Sequence, residues 1–226
     1  MEPLATPVVV VDTDEVHSDL VRDFGLTEDV FHKVAEHILN GFNGVSELHP
    51  KGFGGTSAWA NGTYALTETL TPLGWVREDP RNQPRLVFEK KGLAVTLSSG
   101  CPLTGVNHPH LQPRTRNEKG SQTARSVNFN ARQSDMFQVT NEVKLELKSS
   151  RENNLWILLY YIDIDNGELR YELSLPLSMD ERGKVNKWVM RYIFPAIQLK
   201  VEFDVGEDDG SEYFDNDVSV EVTPRT

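Results

Sequence analysis

Between residues 14 and 71 the apolar positions recur at helical intervals. Val16, Leu20 and Phe24 fall on one face of a helix over 14–24. Val30, Phe31, Val34, Ile38, Leu39 and Phe42 share a face of a second helix, for which Thr27 is the N-cap, with Glu28 and Asp29 in its first turn and Gly41 and Gly44 at its end. A third helix over 57–71 aligns Trp59, Leu66 and Leu70 despite the Asn61-Gly62 pair within it.

Beyond Pro72 the period changes. Residues 86–89 and 93–97 are short β-type runs joined through Lys90-Lys91-Gly92, which suits a hairpin. Helices followed by a hairpin with a basic tip fit a winged-helix-like unit. Residues 98–120 read as a long loop punctuated by Gly100, Pro102, Gly105, Pro109, Pro113 and Gly120, and long ordered loops are uncommon unless functional. A short helix over 121–133 follows.

The rest is rich in strand patterns. Val143, Leu145 and Leu147 alternate with Lys144, Glu146 and Lys148, whereas residues 155–164 are apolar on both faces, as in a central strand. Asp165-Asn166-Gly167 turns the chain into Leu169, Tyr171, Leu173 and Leu175. Residues 183–194 satisfy two periods, and the helical spacing of Val185, Trp188, Val189, Tyr192 and Ile193 is favoured. Residues 197–205 alternate as a half-buried strand, the acidic run 206–217 is a solvated loop, and 218–222 form a last strand.

Together these elements predict an α+β fold in which N-terminal helices precede a mainly antiparallel β-sheet with a C-terminal helix and edge strands. The chain divides into a mainly helical region ending in the basic hairpin (1–97), a basic Pro/Gly-rich loop with a short helix (98–134) and an antiparallel β-rich region with an acidic end (135–226).

Composition narrows the class only slightly. With 226 residues, 38% hydrophobic and 25% charged, the chain has the make-up of a globular protein. Its one cysteine, Cys101, cannot form an internal disulfide, and the apolar run 8–11 is too short for a signal or membrane segment, so a cytoplasmic protein without a membrane partner is expected. Asn61-Gly62-Thr63 matches a glycosylation acceptor that has no use in that compartment.

Charge changes the picture more. The chain totals −11, yet residues 77–132 carry ten Lys/Arg against four Asp/Glu, while residues 1–50 hold ten acids and two bases and residues 200–226 nine acids and two bases. A basic block between acidic ends attracts a polyanion to one place and repels it elsewhere. Arg77, Arg81, Arg85, Lys90, Lys91, Arg114, Arg116, Lys119 and Arg125 are the expected nucleic-acid contacts, and arginine predominates among them, as suits bidentate bonds to phosphate or guanine. The leading expectation is a nucleic-acid-associated or accessory binding protein that needs no cofactor.

Two alternatives use other residues. Asp135 followed by Glu146-Leu147-Lys148 resembles the PD-(D/E)xK pattern of metal-dependent nucleases, in which Asp135 and Glu146 would share Mg²⁺ and Lys148 would offset developing negative charge. The preceding proline is missing, Lys144, Glu146 and Lys148 also form the polar side of an ordinary strand, and Asp79-Pro80 with Glu89-Lys90-Lys91 repeats the pattern. The acidic ends instead suit an inhibitor that mimics nucleic acid and occupies a DNA-processing enzyme. Cys101, His108 and His110 lack a zinc spacing and a fourth ligand. Lys51-Gly52-Phe53-Gly54-Gly55-Thr56-Ser57 has its lysine on the wrong side of the glycines for a Walker loop and reads as a flexible turn capped by Thr56. No Gly-x-Ser-x-Gly, HExxH or GxGxxG motif is present.

Overall fold

A computed structural model describes residues 7–138 and 153–199. Along the chain run β1 (Val8–Val10), α1 (Thr13–Phe24), α2 (Glu28–Asn43), α3 (Phe53–Leu70), β2 (Val76–Glu78), β3 (Arg85–Phe88), β4 (Leu93–Ser99), α4 (Ser121–Gln138), β5 (Asn154–Asp163), β6 (Glu168–Met179), β7 (Val185–Ile193) and β8 (Ile197–Gln198). The strands form one sheet in the order β1-β7-β6-β5-β4-β3-β2, with β8 also paired to β6. The β1–β7 and β4–β5 pairs are parallel and the others antiparallel, so the expected α+β fold is observed with a mixed sheet.

Alternation along the central strands covers both sheet faces. Trp156, Leu158 and Tyr160 of β5 join Leu173 and Tyr192 in the core that receives Phe24, Phe31, Ile38 and Leu66 from α1, α2 and α3. Ile157 and Leu159 point the other way, towards Val185, Trp188 and Val127 of α4. The helix stripes behave as their spacing predicts, since Val16, Leu20 and Phe24 are all buried. Helix α3 departs from expectation at its start. Gly52, at φ +78°, occupies the cap position, and the glycine-rich stretch continues as the first turns of the helix instead of a flexible turn capped by Thr56. Thr27 precedes α2 but makes no side-chain capping bond.

Residues 185–193 form a strand, which overturns the helix favoured over 183–194. The reason lies in the pairing. Pro176 faces Trp188 while Leu175 faces Met190, which leaves Val189 as an extra residue on β7; a second shift leaves Leu177 extra on β6 and a third leaves Asn186 extra on β7. These bulges reset the alternation, so that Val185 and Trp188, three apart, enter the same cluster and imitate a helical period. Pro176 lacks a ladder donor there, and Asn130 of α4 fills the gap: its amide donates to Leu155 O (2.9 Å) and Pro176 O (3.2 Å) and accepts from Leu155 N (3.1 Å). The β3–β4 hairpin exists, but β4 pairs on its other side with β5, so it is internal to the sheet and not a projecting wing. The expected strand over 143–148, most of that over 197–205, the loop 206–217 and the strand 218–222 lie outside the described residues.

The segment between β4 and α4 forms a strap across the second sheet face. Gly100 N donates to Tyr160 O (2.7 Å), Trp188 Nε1 to Pro113 O (2.8 Å), Thr115 N to Val185 O (2.9 Å) and Lys119 N to Gly183 O (2.8 Å). Beneath it Glu172 of β6 and Arg191 of β7 form an ion pair sealed from solvent, with side-chain exposures of 0% and 1%. Arg191 donates to both carboxylate oxygens (Nε 3.0 Å, Nη2 2.6 Å) and to Val106 O (3.1 Å). Ser174 Oγ (2.7 Å) and Gly105 N (2.8 Å) supply further bonds to Glu172. Removing one member of such a pair leaves a buried charge without its counter-ion, at about 3–5 kcal/mol. Urea unfolding of Arg191→Met is expected to show a loss of that size, and pairing it with Glu172→Leu is expected to recover most of it.

Candidate nucleic-acid interface

The nine basic residues expected to line a phosphate track are divided among several places in the fold. In the β2–β3 hairpin, Arg77 bonds Asp79 (3.0 Å) and Arg85 bonds Glu78 (2.7 Å), so both guanidinium groups meet acids of their own hairpin. Lys90 and Lys91 lie on the α1 side of the sheet, where Lys91 Nζ donates to Arg22 O (2.9 Å) at the end of α1. With Arg22, Phe24, Leu93 and Trp156 they line a cleft of about 170 Å³. Cations there suit the negative end of the helix dipole.

The opposite side of the sheet holds the most coherent group. The β2–β3 connection is a turn with Gln83 N bonded to Pro80 O (3.1 Å), in which Arg81 (φ 50°, ψ 47°) and Asn82 (φ 60°) are both left-handed. That is the type I′ geometry a hairpin favours, built without glycine. The turn is pinned to the start of α4: Arg81 Nη1 donates to Ser121 Oγ (3.0 Å) and Gln83 Nε2 to Thr123 Oγ1 (2.8 Å). Along α4 the residues Thr123, Ser126, Val127, Phe129 and Asn130 are buried, while Ser121, Arg125, Asn128 and Arg132 are exposed at one helical spacing. Residues 121–134 contain no acid.

On the strap, Arg114 is exposed and anchored through its backbone N–H to Cys101 Sγ (3.4 Å). Arg116 is half-buried, and its charge opposes the upward push that burial gives the Tyr160 phenol. Lys119 is half-buried, one residue before the cap of α4. Its ammonium has no partner among the described residues, and loss of solvation lowers its pKa to about 8. The structure thus brings Arg81 and Arg125 to one helix, leaves Lys90 and Lys91 across the sheet and pairs Arg77 and Arg85. Arg132, Asn128 and Ser121 were not singled out from sequence, although their i, i+4, i+7, i+11 spacing with Arg125 is legible there.

Of the nuclease triad, Asp135 falls within α4, and Glu146 and Lys148 lie outside the described residues. The repeat at Glu89-Lys90-Lys91 is a 3-10 turn, so its acid and lysine do not alternate on a strand. His108 Nδ1 accepts from the backbone N–H groups of His110 (3.1 Å) and Leu111 (3.0 Å). Among the described residues no three His, Cys, Asp or Glu side chains gather where they would hold a metal ion, and no helix is long and apolar enough to cross a membrane.

The fold and this surface define an α+β protein with a mixed sheet between two unlike helical layers. Comparison with protein-family models, curated proteins and solved structures finds no match to the chain.

Two measurements test this geometry. A left-handed non-glycine residue costs about 1–2 kcal/mol and an exposed hydrogen bond contributes about 0.5–1.5 kcal/mol, so Arg81→Gly is expected to leave the urea midpoint unchanged or raised. A fall would show that the Ser121 contact outweighs the backbone strain. Lys119 has a folded pKa of about 8 against an ordinary 10.5. The unfolded chain therefore binds more protons across that window, and stability rises with pH through it. The difference in unfolding free energy between the wild type and Lys119→Met is expected to carry this slope between about pH 8 and 10.5 and to be flat below it.

Proposed function

We propose that the protein is a non-catalytic nucleic-acid-binding protein that lays the outward stripe of α4 against a duplex, with Arg81 at the start of the contact. One observation carries this reading: in a chain of net charge −11, α4 exposes Arg125, Asn128 and Arg132 on a single stripe, with no acid in residues 121–134 and a guanidinium from a distant hairpin fixed to its first turn. Arginine and asparagine are the side chains that bond phosphates, guanine and adenine edges. A helix of 18 residues is about 27 Å long and fits a major groove. Arg114 and Arg116 on the strap are candidates for flanking phosphate contacts, and the acidic parts of the molecule fix which side faces the polyanion.

Fluorescence anisotropy with labelled duplex and single-stranded oligonucleotides, across a salt series, tests the proposal. Duplex binding is expected to weaken with salt at a log–log slope of about −2 to −4, as for two to four neutralised phosphates. The double substitution Arg125→Gln/Arg132→Gln is expected to weaken it at least tenfold while the protein stays folded by circular dichroism, and Lys90→Glu to change it little. Absence of binding to duplex at low salt removes the reading, and binding to single strands alone replaces the groove by another surface.

A further inference from the structure

A cleft opens on the α1 side of the sheet, where the end of α1 meets the turn between β3 and β4. Phe24, Leu93 and Trp156, all buried, form its apolar floor. The indole of Trp156 is held by its neighbours, edge-on to Phe24 (5.0 Å between ring centroids) and stacked on Tyr192 (5.7 Å). Its Nε1–H is buried, yet no acceptor meets it among the described residues. Trp188, also buried, donates its own indole N–H to Pro113 O (2.8 Å). Native folds rarely leave such a donor without a partner. An acceptor delivered through the cleft would supply one.

The mouth of the cleft supplies charge. The Arg22 guanidinium bonds Asp19 (2.7 Å) and both oxygens of Asp23 (2.7 Å each). Asp23, the carboxylate in the lining, is thereby engaged and offers little to a cationic ligand. Glu89 begins the adjoining turn but does not line the cleft. Lys91 Nζ donates to Arg22 O (2.9 Å) and so covers a carbonyl at the negative end of α1, where an anion would otherwise be repelled. An ammonium has three donors, and that bond uses one. Lys90 is exposed, and its ammonium makes no hydrogen bond or ion pair among the described residues.

We propose that this cleft binds a small carboxylic acid with a single ring or a short chain. One carboxylate oxygen accepts from Trp156 Nε1–H, the other from Lys90 and the spare donors of Lys91, and the apolar body lies against Phe24 and Leu93. Volume sets the size. An apolar cavity of about 150 Å³ takes benzene, so a cleft of about 170 Å³ suits one ring with its carboxylate and is too small for a nucleotide. Charge sets the kind, because a neutral ligand of the same shape leaves both ammonium groups unused and a cation opposes them. The site lies across the sheet from α4, so it stands whether or not α4 binds nucleic acid.

Proton–nitrogen NMR of the full chain is the test, since its four tryptophans give four indole resonances. Benzoate at millimolar concentration is expected to move the Trp156 resonance downfield as the N–H gains an acceptor, and hexanoate, which has no ring current, to move it the same way. Trp59 is 39% exposed, on the outside of α3 despite its spacing with Leu66 and Leu70, and its resonance is the surface control, expected to stay in place. Benzyl alcohol is expected to bind at least tenfold more weakly than benzoate. Lys90→Gln, at an exposed position, is expected to weaken benzoate at least threefold with an unchanged unfolding midpoint and to leave benzyl alcohol unaffected. A Trp156 resonance that neither acid moves, a shift that Trp59 shares or benzyl alcohol matches, or a benzoate affinity that Lys90→Gln leaves intact overturns the proposal.

Discussion

A carboxylate and a guanidinium shut away from water have to satisfy each other's bonding capacity completely, and for Glu172 and Arg191 this requirement fixes much of the surrounding fold. Each must be on the sheet face opposite α1, α2 and α3. The strands carrying them must be neighbours in the observed register, and the strap must pass close enough for Gly105 N and Val106 O to complete the set. The strap has no regular structure of its own, so its backbone groups need partners elsewhere. They find them in β5, β7 and the turn before β7. A segment that reads as a loop free to meet a partner is therefore one layer of the fold. Its end, at Lys119, delivers the chain to the first turn of α4.

What the sequence made legible was whatever one period decided. Val16, Leu20 and Phe24 could serve only one helix face, and residues 155–164, apolar on both sides, only a central strand. Asp165-Asn166-Gly167 turns as expected, with Gly167 at φ +64°. Legibility failed where two patterns overlapped. The bulges at Asn186 and Val189 give β7 a three-residue spacing that a helix also has, and only the neighbouring β6 decides between them. The start of α3 failed differently, because glycines that suit a turn are also tolerated in a helix, and at Gly54 the Phe42 ring stands where a Cβ would.

For the candidate site the split runs along sequence distance. The exposed stripe of α4 follows from the local period of Arg125, Asn128 and Arg132. The approach of Arg81 to Ser121, forty positions on, depends on the whole β2–β3 hairpin lying beside α4. The same hairpin ties Arg85 to an acid, because its register sets Glu78 directly opposite. A count of basic residues along the chain contains neither fact, and for that reason it overstates the size of the interface.

On the proposed reading, distance weakens the opposition that the acids of α1 offer to a polyanion at α4. Layers in a packed fold are about 10 Å apart, so the acids of α1, one layer above the sheet, lie about 20 Å from α4, one layer below it. At physiological ionic strength the Debye length is about 8 Å, and charges more than two such lengths away are largely screened. Nearer the outer face of α4 lie Arg81, Arg125 and Arg132. The remote acids act at longer range on approach, where they disfavour encounters through the α1 side and leave the α4 side as the open route. The sheet thus holds the acids of α1 farther from Arg81, Arg125 and Arg132 than charge is felt at physiological salt.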